Sequence, residues 1–142
     1  MSRMLFCDLG PTCYKISVKK EIARRNLKDF FSNKKIAVYR DDKQLPNIVK
    51  AHSSILLRKL HGVDMKLQEN KVTNITIACS KINGIIIKPN EVFSYWKLVG
   101  SPSKKNGFKE GLVIGRDGFD KGYGGGLCQM ANMIHMLVCI VL

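Results

Sequence analysis

Apolar residues recur at three- and four-residue steps in one early segment, residues 18–31, with basic side chains between them. This spacing predicts an amphipathic helix, whose first free amides the hydroxyl of Ser17 could cap. The apolar positions are Val18, Ile22, Ala23, Leu27, Phe30 and Phe31. We expect this apolar stripe to pack on the chain's own core, with attachment to a membrane surface as the alternative.

The flanking segments define a proposed domain boundary. Residues 1–16 are predicted to be irregular because Gly10-Pro11 interrupts them. A second helix is predicted over residues 46–60, with Pro46 in its first turn and Gly62 as its stop. Its inward positions would be Ile48, Ile55, Leu56 and Leu60. We therefore expect a helical or irregular N-terminal region at residues 1–45 and a single domain at residues 46–142.

The pattern changes after Lys71. Residues 72–78 are β-branched and alternating, which predicts a strand, and residues 82–87, 92–96 and 112–114 are further strand candidates. Turns are expected at Asn83-Gly84 and at residues 88–91.

Glycine marks the last part of the chain. Nine of the twelve glycines lie between Gly100 and Gly126, so this region is predicted to be rich in loops. Residues 127–142 lack Gly and Pro and are apolar, which predicts a buried helix that starts near Cys128. Helices, then strands and a Gly-rich loop, then a buried helix indicate an α+β fold.

Composition narrows the possible partners. The 142 residues fit one core, and 24 Lys and Arg against 11 Asp and Glu give a formal net charge of +13. Such a charge favours an anionic cell-wall polymer, an anionic lipid or nucleic acid, or reflects only a basic solvated surface. No nucleic-acid motif occurs, so nucleic acid is the least favoured partner. With neither a signal peptide nor a spanning segment in the sequence, we expect a cytoplasmic or membrane-peripheral location.

The five cysteines form no metal-binding pattern. Their number is odd, no CxxC occurs, and the three histidines are not spaced for zinc. We expect free thiols in a reducing compartment, with no metal and no cofactor. Cys79 and Cys139 lie in apolar runs and are expected to be small core residues. His52 and His61 are expected to be structural or solvent-facing.

The run Gly124-Gly125-Gly126-Leu127-Cys128-Gln129 carries the candidate chemistry. A cysteine at a helix N-terminus has its thiolate stabilised by free amides, which makes Cys128 a candidate nucleophile. Gln129 is a candidate oxyanion donor, and the three glycines would let a ligand approach the backbone. The alternative is an ordinary loop followed by a small buried residue. His135 lies two helical turns, about 10 Å, beyond Cys128 and is too far to act as its base.

Residues 82–96 resemble the VanW family pattern NG…PGE.FS.W, and residues 124–129 match the family's GGGxCQ signature. The resemblance implies an association with glycopeptide resistance and the cell wall, without a defined reaction. Glu91, Ser94 and Trp96, which belong to this pattern, are candidate ligand-binding residues together with the three glycines. Whether the protein is an enzyme is left open.

Two departures from the family pattern bear on function. Asn90 stands where the family has Gly, and both residues tolerate left-handed backbone angles. Family members continue past this region into a segment with His and Asp, so we expect this chain to be C-terminally truncated. One hypothesis is a Cys-based hydrolase or transferase site that is incomplete here. The other is a noncatalytic module that binds an anionic or peptidoglycan-like ligand through the Gly-rich loop.

Overall fold

A computed structural model of the chain describes residues 5–43, 45–57, 62, 64–115 and 118–141. It divides into two compact units, one made of Met1–Ile36 and Pro89–Val92, the other of Ala37–Lys88 and Phe93–Leu142. Helices and short two-stranded sheets make up the described part, which confirms the predicted α+β class. The proposed boundary at residues 45 and 46 stays a prediction. Among the described helices, none has both the length and the apolar character needed to cross a membrane.

The first unit is built around helix α1, Pro11–Phe31, which follows a 3-10 turn at Phe6–Leu9. The predicted helix is confirmed, but it begins seven residues earlier than expected. Pro11 occupies its first turn, a position where the missing amide hydrogen of proline has no cost. The prediction of an irregular segment is therefore wrong for residues 11–16, while residues 1–4 lie outside the described residues. Ser17 lies inside the helix and does not cap it. Strand β1, Lys35–Ile36, pairs in parallel with β2, Glu91–Val92.

The apolar stripe of α1 does not pack on a core. None of the residues of α1 is buried, and the side chains of Phe30 and Phe31 are 81% and 80% exposed. The expectation that this stripe faces the chain's own core is therefore wrong.

The second unit contains helix α2, Met65–Ile82, where a strand was predicted over residues 72–78. That prediction is wrong because burial on one helical face outweighs the β-branched composition. Asn74 and Ala78 are four residues apart on one face of α2, and Gln68 is its third buried residue. Asp64 caps the helix, its Oδ1 accepting a hydrogen bond from the Lys66 amide at 2.9 Å.

The helix predicted over residues 46–60 is absent from its described part, since residues 45–57 form no helix or strand. Ile48 and Ile55 are exposed rather than inward, and Leu56 is half-buried. Leu60 and His61 lie outside the described residues, while His52 is exposed as expected.

The segment after α2 is fixed by contacts with residues 40–41. The turn at Asn83-Gly84 is confirmed, and a Cβ on Gly84 would come within 2.7 Å of the carbonyl oxygen of Asp41. Ile85 forms an isolated bridge with Arg40 instead of the predicted strand over residues 82–87. The Arg40 guanidinium donates to the carbonyls of Ser80 and Lys81, which belong to the last turn of α2.

Short elements connect α2 to the last helix. The turn expected at residues 88–91 is confirmed, with Asn90 at a φ of 65°. Residues 92–96 are not a strand, because β2 ends at Val92 and helix α3 spans Tyr95–Val99. A second 3-10 turn covers Lys104–Asn106. Strand β3, Glu110–Gly115, contains the predicted strand and pairs antiparallel with β4, Gly118–Tyr123.

Helix α4, Leu127–Val141, begins where the sequence predicted it. The core of this unit consists of Ala78, Val99, Phe108 and Met130. The expectation of a buried C-terminal helix holds at Met130 but is wrong further along, because Met136 and Val138 are exposed. The five cysteines form no disulfide, but Cys79 and Cys139 are exposed rather than part of the core.

Candidate functional site

The triple-glycine turn joins β4 to α4, and all three of its glycines are buried. Gly124 and Gly126 have φ angles of 86° and 94°, which other residues rarely adopt. The Gly124 amide donates to the carbonyl of Lys109 at 3.3 Å, which fixes the turn beside the start of β3. The turn thus sets the direction in which α4 leaves the hairpin.

Gly125 lies against the backbone of β3. A Cβ added to Gly125 would come within 2.7 Å of the Cα of Gly111, and one added to Gly111 would lie 3.0 Å from the Cα of Gly125. Both positions therefore require glycine because two stretches of main chain touch there. The space that a side chain at Gly125 would occupy is taken up by the backbone of β3.

The side chain of Asn74 in α2 stabilises the contact between Gly111 and Gly125. The sequence analysis did not identify Asn74 as part of the site. Its side chain is fully buried. Its Nδ2 donates to the carbonyls of Lys109 at 3.0 Å and Gly125 at 3.1 Å, and its Oδ1 accepts from the Lys109 amide at 2.8 Å. Three hydrogen bonds satisfy the buried amide and tie α2 to both β3 and the glycine turn.

Cys128 is exposed and lies in the first turn of α4, beside a cavity of about 380 Å³. The walls are mostly apolar and come from α3, β3, the glycine turn and α4. Lining side chains include Tyr95, Trp96, Val113, Leu127, Cys128 and Ala131. This cavity brings together the candidate residues Trp96, Gly124, Gly125, Gly126 and Cys128.

Tyr95 forms part of the cavity wall and is held by α4. Its hydroxyl donates to the carbonyl of Leu127 at 3.1 Å. Burial raises the pKa of Tyr95 to about 12, and the negative charges of the Cys79 and Cys128 thiolates add to that effect. Tyr95 therefore stays protonated near neutral pH and acts as a hydrogen-bond donor.

Gln129 points toward the segment at residues 54–56. Its Nε2 donates to the Ser54 hydroxyl at 3.1 Å and the Ile55 carbonyl at 3.3 Å. Its Oε1 accepts from the ammonium group of Lys71 at 3.5 Å. The side-chain amide would have to break these bonds before it could serve as an oxyanion donor.

The two remaining candidates are Ser94 and Glu91. Ser94 precedes α3, and its carbonyl accepts from the Leu98 amide, while its hydroxyl forms no cap with the helix. Glu91 lies in β2 of the first unit, where it pairs with Lys35.

No histidine of the described part forms a hydrogen bond with Cys128. His52 lies in an exposed coil, and His135 contacts Cys139 instead. Within the same described ranges, no group of three or more His, Cys, Asp or Glu side chains gathers into a metal site. The geometry thus provides a thiol beside an apolar cavity, and no described histidine is in hydrogen-bond contact with it.

The family model described as VanW like protein matches residues 70–141, slightly more than half of the chain. The chain belongs to the VanW family. The matched region contains most of α2, the hairpin, the glycine turn and α4, and therefore the whole cavity described above. The resemblance inferred from residues 82–96 and 124–129 is confirmed.

Two curated proteins are similar to this chain. Vancomycin B-type resistance protein VanW from Enterococcus faecalis is 39% identical over 93 residues, which cover 66% of this chain and 34% of that protein. Uncharacterized protein YoaR from Bacillus subtilis is 31% identical over 65 residues, 46% of this chain and 22% of that protein. The chain thus spans at most about a third of the curated relatives it matches. No solved structure matches it.

Proposed function

We propose that this chain is a VanW-type binding module of glycopeptide resistance, which takes up part of a peptidoglycan-like ligand in the cavity beside Cys128. The connection to resistance follows the name of the Enterococcus faecalis relative. The cavity carries the proposal, because its volume of about 380 Å³ falls in the usual range for small-molecule sites.

The cavity walls favour an apolar part of such a ligand. Val113, Leu127 and Ala131 present aliphatic groups, and Trp96, 37% exposed, adds a flat aromatic face. Methyl-bearing residues of a cell-wall stem peptide fit this chemistry. The formal net charge of +13 favours an anionic polymer outside the cavity. The proposal requires no cofactor, and the cytoplasmic or membrane-peripheral location stays a prediction.

A thiol hydrolase or transferase is the second candidate. It is supported by Cys128, which lies in the first turn of α4, where free amides favour a thiolate, and which lines the same cavity. Against it stand the engaged amide of Gln129 and the lack of a described histidine in contact with the thiol. Binding without catalysis is therefore the function that the geometry supports better.

Protection of Cys128 from a thiol reagent tests the proposal. In a variant with Cys7, Cys13, Cys79 and Cys139 replaced by Ser, only Cys128 reacts with a maleimide. We expect a stem peptide ending in D-Ala-D-Ala to slow this reaction, and Trp96→Ala to remove the protection. A matched variant that keeps only Cys79, which is exposed but does not line the cavity, should show no protection.

The three outcomes separate the two candidates. Protection of an unchanged peptide, together with retained binding by Cys128→Ala, supports the binding module. Cleavage or transfer of the peptide that Cys128→Ala abolishes would replace the module with the thiol enzyme. Absence of both protection and turnover would overturn the proposal.

A further inference from the structure

Helix α1 presents one apolar face to solvent. Because the helix begins at Pro11, Ile16 joins the apolar positions, and steps of seven, four and three residues then place four apolar side chains on one side. Three of the four are more than half exposed. We call this set the apolar face: Ile16, Ala23, Leu27 and Phe30.

The charged residues of α1 are distributed unevenly around the apolar face. At about 100° per residue, Lys19 and Lys20 lie about 50° to either side of its centre. The two acidic residues of the helix, Glu21 and Asp29, lie about 130–150° from that centre, on the far side. The helix therefore has an apolar strip with a lysine at each edge, and both of its carboxylates are turned away from the strip.

We propose that the apolar face docks α1 onto the surface of an anionic lipid bilayer. The helix lies in the plane of the membrane interface, and Leu27 and Phe30 enter the boundary between headgroups and acyl chains. The aliphatic stems of Lys19 and Lys20 run along this boundary, while their ammonium groups reach the lipid phosphates. From Ile16 to Phe30 the contact is about 21 Å long.

Charge complementarity favours lipid over the other possible occupants of the apolar face. A second copy of the chain would bring the same lysines to the contact, and the carboxylates of Glu21 and Asp29 point away from it. Nucleic acid would pair with the lysines but leave Leu27 and Phe30 exposed. An anionic bilayer offers phosphates directly above an apolar layer and so matches both parts of the helix. The proposal is independent of the cavity, which residues of the second unit form.

The two sides of α1 supply matched variants for the apolar contribution. Leu27→Ala/Phe30→Ala reduces the apolar face, while Val18→Ala/Ile22→Ala removes aliphatic groups from the far side of the same helix. Alanine favours the helical conformation, and none of the four replaced residues is buried, so both variants keep the helix.

The charge contribution has its own matched pair. Lys19→Gln/Lys20→Gln removes two positive charges at the edges of the apolar face, and Arg25→Gln/Lys28→Gln removes two on the far side. The two variants have the same net charge, so a difference between them reports the position of the charges and not their number.

Sedimentation of the full chain with lipid vesicles tests the proposal. Vesicles of equal parts phosphatidylglycerol and phosphatidylcholine should bind the chain about tenfold or more tightly than phosphatidylcholine alone, and added salt should weaken this binding. We expect Leu27→Ala/Phe30→Ala and Lys19→Gln/Lys20→Gln each to weaken it by about tenfold or more. The two far-side variants should bind within about threefold of the parent chain.

Three results would overturn the proposal. The first is a parent chain with no preference for the anionic vesicles. The second is a variant of the apolar face or of its lysines that binds no more weakly than its far-side control. The third is a lipid-free dimer, seen by light scattering, that Leu27→Ala/Phe30→Ala dissociates, since the face would then belong to a second copy. Circular dichroism before lipid is added checks that each variant keeps its helix.

Discussion

Helices α1 and α2 are of similar length but differ in what they bury. None of the 21 residues of α1 is buried, whereas α2 buries Gln68, Asn74 and Ala78. The ion pair described on α1, between Arg24 and Glu21, is exposed and contributes little to stability. An amphipathic pattern is therefore sufficient to form a helix, but the stability that a helix adds comes from what it packs against.

Among the substitutions considered, Asn74→Ala in α2 should have the largest effect on the free energy of unfolding. Asn74→Ala should lower the free energy of unfolding by about 2–3 kcal/mol, because one buried and two partly buried backbone groups lose their partner. Urea titration followed by the fluorescence of Trp96, the only tryptophan, measures this change.

Asn70→Ala is the matched control, one turn earlier on the same helix. Asn70 makes one exposed hydrogen bond, from its Nδ2 to the carbonyl of Glu110 at 2.8 Å. We expect a loss of about 1 kcal/mol or less. Equal losses in the two variants would show that burial of the Asn74 amide adds nothing.

Replacement of Tyr95 should have an intermediate effect on the free energy of unfolding, and the contribution of Tyr95 to stability should depend on pH. Tyr95→Phe removes one hydrogen bond to Leu127, which should cost about 1 kcal/mol at neutral pH. Because the pKa of Tyr95 is about 12 in the folded state, against 10.0 for an unperturbed tyrosine, the folded state holds this proton more tightly. Its contribution is complete below pH 10 and is lost as the pH rises toward 12.

Urea titrations at several alkaline pH values test whether the stability falls as the pH rises above 10. The parent chain should lose stability above pH 10 more steeply than Tyr95→Phe, which lacks the ionisable group. Tyr14→Phe on the exposed surface of α1 serves as the control. An alkaline loss that is the same in Tyr95→Phe and in the parent would contradict the role of burial at Tyr95.

The smallest effect is expected on α1. Replacing both Phe30 and Phe31 by Ser should change the free energy of unfolding by no more than about 0.5 kcal/mol, because both rings are exposed. Thermal unfolding followed by the helical circular dichroism signal measures it. A loss of about 2 kcal/mol or more would mean that the stripe is covered in solution and would remove the difference between the two helices.

Local signals decided which parts of the fold could be predicted. Apolar residues at three- and four-residue steps revealed most of α1, and the change from glycine to apolar residues placed the start of α4 correctly. The strand prediction for α2 failed because Val72, Thr73 and Ile75 favour strands, while the cap at Asp64 was overlooked.

The candidate site could be predicted only in part. Residues of the GGGLCQ run were identified from the sequence, and the structure places its glycines and Cys128 at one cavity with Trp96. The role of Asn74 was out of reach, because its partner Gly125 lies 51 residues away in the chain. The bonds from Gln129 to Ser54 and Ile55 depend on a similarly distant segment.

The close main-chain contact between Gly111 and Gly125 means that the glycine motif can mark common descent without marking a common reaction. A side chain at either position would collide with main chain, so selection for folding alone is enough to retain the glycine. A related protein that had lost every reactive side chain would still need glycine at these two positions. Genome searches that use those glycines therefore find proteins with the same fold. Whether such a protein keeps the thiol is seen only at the position of Cys128.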